Sequence, residues 1–297
     1  MTAVLLSVSM AACLFAGMID KGFVNRFGGN IKMYYLFNLA VSFVCALALF
    51  LMAGGFHASF FTLLAGLLFG LITTVQKISS MQAMNSGPYS YTAVITSLST
   101  LIPTLSGKFI WNEEIHPIQY VGIILMMICF ICSVDFKAKQ KSASVKWLVF
   151  CALTFVSTGS IGVMQRWHQS TEYKDELNEF LIIAFAVSVF FSLIGMIFSS
   201  RRYKEYWNWG KLSKRTYTLL IAGMVIGGIC VAANNKLNLY LSGIMDTAVF
   251  FPVVNGGGLI LTSLAAFIVF KEKLSLQKWI GLIIGIIAVV LLCNPFG

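Results

Sequence analysis

The sequence predicts an all-α integral membrane protein with ten transmembrane helices, arranged as two inverted repeats of five helices. Three observations support this prediction: the composition, a series of apolar segments of membrane-spanning length, and a short passage that occurs twice. Of the 297 residues, 58% are hydrophobic and 11% are charged, whereas soluble domains carry about 25% charged residues. A single globular core cannot hide this excess at a mean hydropathy of +0.85, so we expect lipid to solvate much of the surface.

Ten apolar segments have about the length needed to cross ~30 Å of hydrocarbon. The longest polar breaks between them are 135–146 and 200–215, so no soluble domain is inserted. The predicted spans are 2–19, 33–53, 58–82, 88–111, 117–134, 147–166, 177–199, 216–239, 243–270 and 276–293.

A passage at 113–122 occurs in a second version at 272–281, 159 positions later. Each copy closes one apolar helix and opens the next. Shorter blocks repeat at similar offsets, which divides the chain into a first half at 1–140 and a second half at 141–297. Because five is an odd number, two five-helix halves must have opposite orientations in the membrane, and in such folds the substrate site lies between the halves.

Lys and Arg are concentrated on one side of the predicted membrane. That side carries 17 of the 21 basic residues if Lys77 is assigned to the near end of span three. Basic loops face the cytoplasm, so both termini are predicted to lie outside it, with 135–146 and 200–215 inside. The basic residues of these cytoplasmic loops account for the net charge of +10. No nucleic-acid-binding motif accompanies them, so no nucleic-acid partner is predicted.

Span nine contains a small, polar patch at Asn255, Gly256 and Gly257, shortly after Pro252. At the 159-residue offset, Asn255 and Gly256 correspond to Thr96 and Ser97 in span four. One interpretation is a cavity wall in each half, where backbone and hydroxyl groups contact a substrate. The alternative there is close packing of helices. For the three Gly-x-x-x-Gly pairs that begin at Gly66, Gly223 and Gly281, packing within the chain is preferred over dimerisation.

Lys77 and Lys236 lie near the ends of spans three and eight, and Asn234 and Asn235 precede the second lysine. Ionisable groups at membrane depth are costly and mark functional sites. If both lysines face the cavity, it has a positive potential and selects an anionic or zwitterionic substrate, because no acid lies at mid-span unless Asp246 reaches in. The alternative is that both lysines extend to the lipid headgroups.

No catalytic set, cofactor motif or metal-ligand cluster is found. The three His residues are scattered over separate loops, and the seven Cys lie in apolar spans, which is typical of small buried hydrophobic side chains. Arg166 and His168, at the end of span six, are assigned to the membrane interface together with Trp111. The sequence therefore predicts no enzyme, no cofactor and no metal site.

The ten spans, the two repeats and the passage from Phe267 to Ser275 with Gly281 resemble the drug/metabolite transporter superfamily, in its EamA-like branch. A weaker copy ends at Trp111 to Glu114. The resemblance implies a multi-pass transporter of small molecules. Related small multidrug resistance proteins carry a Glu within the first helix that couples protons to cationic drugs. Here the segment 11–18 has no acid, and Asp20 lies at its edge.

We therefore expect a secondary transporter that moves a small polar metabolite, anionic or zwitterionic, by alternating access. It is expected in the cell membrane, of the bacterial inner-membrane type, as a monomer or homodimer with lipid and a small-molecule substrate as partners. One alternative is a multidrug exporter of lipophilic cations. Another is a membrane enzyme or an accessory protein.

Overall fold

Residues 2–27, 30–87, 89–132, 144–202, 214–268 and 275–293 are described by a computed structural model. Within these ranges the chain is helical and contains no strand. The helices are α1 (Thr2–Phe27), α2 (Ile31–Met52), α3 (Phe60–Ser86), α4 (Tyr89–Leu98), α5 (Leu101–Trp111), α6 (Pro117–Cys132), α7 (Val145–Gln169), α8 (Leu177–Arg202), α9 (Lys214–Ile244), α10 (Thr247–Ile268) and α11 (Leu276–Leu292). Most of the two basic loops and the start of the second repeat copy, at 272–274, lie outside the described residues.

Six helices, α1, α2, α3, α7, α8 and α9, are long and apolar enough to cross a membrane. Large apolar side chains project from their outer surfaces; Phe43, Leu68 and Phe198 are 56%, 49% and 65% exposed. Such surfaces are stable in lipid and not in water. The fold is therefore that of an all-α protein embedded in a membrane.

Short loops connect the helices, and polar side chains cap several helix starts. The hydroxyls of Ser59, Ser144 and Ser275 accept hydrogen bonds from the backbone N–H of Thr62, Trp147 and Lys278. Each satisfies an amide at the first helical turn that has no partner within the helix. These caps fix where α3, α7 and α11 begin.

The predicted span 88–111 is two helices, because the chain breaks between α4 and α5 at Ser99 and Thr100. The backbone N–H groups of Ser99 and Thr100 bond to carbonyls three residues earlier, at 3.2 Å. Their hydroxyls also donate to the carbonyls of Thr96 and Ser97. Four residues after Ser99, Pro103 has no N–H to continue the helical ladder, and its ring crowds the Ser99 carbonyl. The sequence prediction of a single helix here is corrected.

Helix packing pairs the first half of the chain with the second. α2 lies along α8 and α6 lies along α11, while α3 contacts α7 and α8, and α9 contacts α1 and α2. The centres of the buried Phe69 and Phe180 rings lie 4.9 Å apart, with the ring planes tilted by 56°, where α3 meets α8. At Gly66, an added Cβ would lie 2.8 Å from the Ile183 side chain. The Gly66–Gly70 pair thus packs helices within the chain, which confirms that interpretation here.

Candidate functional site

A cavity of about 340 Å³ lies among the helices of both halves. Side chains of α1, α2, α3, α4 and α5 form one part of its wall, and side chains of α7, α8, α9 and α10 form the rest. This volume is within the range of small-molecule sites. Its lining is unusually polar for a helical interior, and the groups below define it.

An ion pair between Asp20 and Lys77 provides the only charges among the described residues that line the cavity. Asp20 Oδ2 lies 2.5 Å from Lys77 Nζ, and the two side chains are 21% and 15% exposed. The ammonium of Lys77 also lies 5.6 Å from the centre of the Phe37 ring. The expectation that no acid neutralises Lys77 is wrong. α1 continues to Phe27, which places Asp20 inside the helix and not at its edge.

Asparagine side chains of α9 form a second polar group. Asn234 Nδ2 donates to the carbonyl and the hydroxyl of Ser9, at 3.0 and 3.1 Å. The Ser9 hydroxyl donates in turn to Asn238 Oδ1 at 2.5 Å. Asn235 donates to the Val231 carbonyl of its own helix. This network ties α1 to α9 beside the cavity.

A third polar group is buried where α2, α3 and α8 meet. Asn38 Nδ2 donates to the hydroxyls of Ser188 and Ser192, at 3.1 and 2.8 Å. The Ser188 hydroxyl also accepts from Thr74 and bonds to Ser42, both at 3.0 Å. Asn38, Ser42 and Ser188 line the cavity, so its wall contains amide and hydroxyl groups held in fixed positions.

Two further polar side chains line the cavity without a protein partner among the described residues. The Thr158 hydroxyl is buried and makes no hydrogen bond. Gln165, also on α7, is only 3% exposed, and no described residue bonds to its side chain. A buried polar group without a partner costs free energy, about 1–3 kcal/mol. The Gln165 amide is therefore available to a bound molecule, whereas the Thr158 oxygen has almost no accessible surface in this conformation.

Five of the nine predicted site residues line this cavity and four do not. The five that line it are Lys77, Thr96, Asn234, Asn235 and Asn255. The four that do not are Ser97, Lys236, Gly256 and Gly257.

Lys236 and Ser97 lie outside the lining of this cavity. The cavity side of α9 carries Val231, Asn234, Asn235 and Asn238, and Lys236 is rotated by about 100° from Asn235 at 3.6 residues per turn. The backbone carbonyl of Ser97 accepts the Thr100 hydroxyl at the helix break.

The two glycines bring α10 close to its neighbours. A Cβ at Gly256 would collide with Met126 of α6, and one at Gly257 would lie 2.7 Å from the Met10 sulfur of α1. Their role in this structure is close packing of helices.

A buried cluster at one end of the helices also joins the two halves. Glu113 Oε1 lies 2.8 Å from Arg166 Nη2, with the side chains 6% and 17% exposed. Glu113 Oε2 accepts from the backbone N–H and the hydroxyl of Thr247, at 2.8 and 2.7 Å. Arg166 Nη1 donates to the Ser242 carbonyl at 2.7 Å. Glu113 therefore neutralises the charge of Arg166 within the protein, at the end of α7 that the sequence analysis assigns to the membrane interface.

A second contact at the same end joins Glu176 to the start of α3. Glu176 Oε2 accepts from the Ser59 N–H and hydroxyl, at 2.9 and 2.8 Å. Burial alone would raise its pKa, but hydrogen bonds from Thr62 and Ser59 hold the pKa of the Glu176 carboxyl below its usual range. Nearby, His168 is fully buried and lies 3.3 Å from the Thr62 hydroxyl, so its ring packs inside the protein.

Sequence reasoning missed several groups that matter most in this site. Asp20 was visible only as a charge beyond the first span, and its partner is 57 residues away. Gln165 and Thr158 carry no sequence signal apart from being polar residues in an apolar span. A helical projection of span six, which places residues 158, 162 and 165 on one face, could have found them.

Comparisons with known proteins show the fold and nothing further. No protein-family model matches the chain, and no curated protein matches its sequence. Twenty-eight solved chains match the structure. One of these, described only as "Crystal structure of protein", has a TM-score of 0.70 and 10% sequence identity, and the match covers 97% of this chain and 96% of that one. At this identity the likeness establishes a shared arrangement of helices alone.

Proposed function

We propose that the chain is a secondary transporter of the drug/metabolite transporter superfamily, in its EamA-like branch, and moves a small polar metabolite by alternating access. The polar cavity carries this proposal. It lies among apolar helices, receives side chains from both halves, and contains charged and unpartnered polar groups. Buried polar groups at membrane depth are costly, and a substrate site is the simplest reason to maintain them.

The ten predicted spans are supported if α4 and α5 act together as one crossing. α6 and α11 have 16 and 17 residues, close to the lower limit of about 17 for a spanning helix. α10 has 22 residues. With the six long helices, these four crossings make ten.

The inverted repeat is supported by the symmetry of the packing. If the halves are equivalent, α1 to α3 correspond to α7 to α9, and α6 corresponds to α11. If each helix is replaced by its equivalent in the other half, the contact between α3 and α7 becomes a contact between α9 and α1. In the same way, the contact between α3 and α8 becomes one between α9 and α2, and all four contacts occur. The α2–α8 and α6–α11 contacts convert into themselves. A two-fold axis between the halves would account for this pattern, and in such folds the substrate site lies between the halves.

The Glu113–Arg166 cluster gives the proposed transporter a closed end. Both it and the Glu176–Ser59 contact join the two halves on the side of the loops at 53–59, 112–116 and 170–176. The distribution of basic residues puts this side outside the cytoplasm. The conformation described is then closed to the outside, and the opposite state requires both contacts to separate.

One observation supports the multidrug-exporter alternative and another opposes it. An acid does lie inside the first helix and lines the cavity, as an exporter of lipophilic cations requires. However, Lys77 neutralises Asp20 at 2.5 Å, so the cavity offers a cation no net negative charge. We therefore retain the polar-metabolite proposal.

A blocked cavity tests the function. Gly17 lines the cavity and an added Cβ would meet no atom within 4 Å, so the Cβ of Gly17→Leu has room and the rest of the side chain occupies cavity space. Gly22, on the same helix, also has no atom within 4 Å of an added Cβ, but it does not line this cavity. Gly22→Leu is thus a matched control.

The measurement has two stages. A thermal-shift screen of the purified protein against metabolite and drug libraries first identifies a ligand, because a ligand that binds only the folded state raises the melting temperature. Uptake of that ligand into proteoliposomes then compares the two variants. We expect Gly17→Leu to abolish uptake and Gly22→Leu to preserve it. Equal uptake by both variants, or no protein-dependent uptake, would contradict the proposed function.

A further inference from the structure

The cavity contains one carboxylate and one ammonium group and has no net charge. We propose that the Asp20–Lys77 pair selects a zwitterionic ligand, whose ammonium group binds at Asp20 and whose carboxylate binds at Lys77. This inference rests on the proposed function and specifies its substrate class. It narrows the sequence prediction, because a neutralised lysine no longer favours an anion.

The charge balance of the site excludes ligands with a net charge. Charge separated from water is costly unless it is paired. An anion in this cavity would compete with Asp20 for Lys77 and leave one negative charge without a partner, and a cation would leave one positive charge. A zwitterion adds equal charges of both signs, so every charge in the complex keeps an opposite neighbour.

The geometry leaves room for this exchange. In the pair, one Asp20 oxygen contacts one of the three protons that a lysine ammonium carries. The other carboxylate oxygen and the remaining protons are free to bind a ligand. Both side chains reach the cavity surface, and Gln76, one residue before Lys77, also lines it.

The rest of the ligand would contact α7 at Gln165, whose side-chain amide has no bond to a described residue. A neutral polyol could use this group, but it would gain nothing from the ion pair. The charges therefore distinguish a zwitterion from a neutral polar substrate.

The test uses sets of four matched compounds that share one side chain and differ in charge. For leucine, glutamine and phenylalanine, the set comprises the amino acid, its C-terminal amide as the cation, its N-acetyl derivative as the anion, and the N-acetyl amide as the neutral form. Affinities are measured by thermal shift and calorimetry on purified full-length protein. We expect the zwitterion of at least one set to bind about 10- to 100-fold more tightly than its three relatives, from the loss of a charge-assisted contact.

Single neutralising substitutions provide the decisive measurement. Asp20→Asn leaves one net positive charge and should change the preference to the N-acetyl anion. Lys77→Gln leaves one net negative charge and should change it to the amide cation. Exchange of the two residues, in Asp20→Lys with Lys77→Asp, restores neutrality and should restore the zwitterion. A pair that only joins α1 to α3 would alter stability without reversing the charge preference.

The outcomes separate this inference from the proposed function. Failure of every zwitterion to bind, or an unchanged charge preference in both single variants, overturns the inference. If the protein transports a sugar or an anion, the proposed function is supported and the inference is contradicted. If the protein binds zwitterions and the single variants reverse the charge preference as expected, but no zwitterion is transported into liposomes, the inference is supported and the transport function is contradicted.

Discussion

Removing the Glu113 side chain should destabilise the closed end of the helices. The carboxylate neutralises the half-buried Arg166 and accepts two hydrogen bonds at the start of α10. Breaking a buried ion pair by deleting one partner costs about 3–5 kcal/mol, because the other charge remains buried. At 6% exposure of the Glu113 side chain, solvent screening reduces this cost little. We therefore expect Glu113→Ala to lower the free energy of unfolding by about 3–5 kcal/mol.

The neighbouring Glu114 gives a matched control. It is exposed, and no ion pair or hydrogen bond joins its side chain to a described residue. Glu114→Ala should therefore change stability by no more than about 0.5 kcal/mol. Reversible unfolding in mixed micelles of mild detergent and SDS compares the two variants with the unchanged protein.

A double-mutant cycle attributes the effect to the pair. If Glu113 acts mainly through Arg166, adding Arg166→Ala to Glu113→Ala should cost little more, so the coupling energy should approach the cost of Arg166→Ala alone. The functional measurement is access to Cys13, which lines the cavity, in a background without other thiols. Glu113→Ala should accelerate its labelling by an impermeant reagent from outside. Stability and labelling indistinguishable from Glu114→Ala would refute the closing role.

Three other predictions follow from the same structure. A Cβ at Gly70 would lie 2.8 Å from Val187 Cβ and closer still to a backbone carbonyl, so Gly70→Ala should lower the free energy of unfolding by about 1–3 kcal/mol. A Cβ at Gly223 would lie 3.7 Å from its nearest atom, so Gly223→Ala should be neutral or slightly stabilising in the same unfolding assay. The pKa of Glu176 in the folded protein is below its ordinary value of 4.5. The ionised carboxylate therefore contributes its full stabilisation above pH 4.5, and this stabilisation is lost as the pH falls below that value. Thermal melts from about pH 3.5 to 7 should show a smaller loss of stability in acid for Glu176→Gln than for the unchanged protein. Cysteines introduced at positions 140 and 210 should resist impermeant reagents in intact cells, and labelling of either would overturn the charge-based orientation.

The fold class was predictable because composition constrains it strongly. A chain with 58% hydrophobic and 11% charged residues must place most of its surface in lipid, and only closed backbone hydrogen bonding survives there. Segment lengths then give most helix ends to within about five residues, but α1 ends at Phe27 and not at residue 19, and the span 88–111 is divided into α4 and α5. The helix break was not predictable from hydropathy, because Ser99 and Thr100 interrupt an otherwise apolar segment only weakly. The sequence drew attention instead to Pro252 and the following glycines, where α10 continues without interruption.

The site was only partly predictable, because lining a cavity depends on the rotation of each helix. Asn234 and Asn235 line the cavity, and Lys236, one residue later, does not. Composition identifies such a cluster but does not give the helix face that each residue occupies. Likewise, Gly256 and Gly257 are small residues that suit either a cavity wall or a close contact, and only the positions of Met126 and Met10 distinguish the two.

The predicted charge of the cavity depends on the residue at which the first helix is assumed to end. A hydropathy window ends span one at residue 19 because Asp20 follows, and this boundary removes the acid from the membrane before any partner is considered. In the structure α1 extends to Phe27, and Lys77 lies within hydrogen-bond distance of Asp20. A charge that has a partner can remain inside a helix at membrane depth, so a charged residue alone does not mark a helix end. When the two residues are counted as a pair, the predicted substrate narrows from an anionic or zwitterionic molecule to a zwitterionic one.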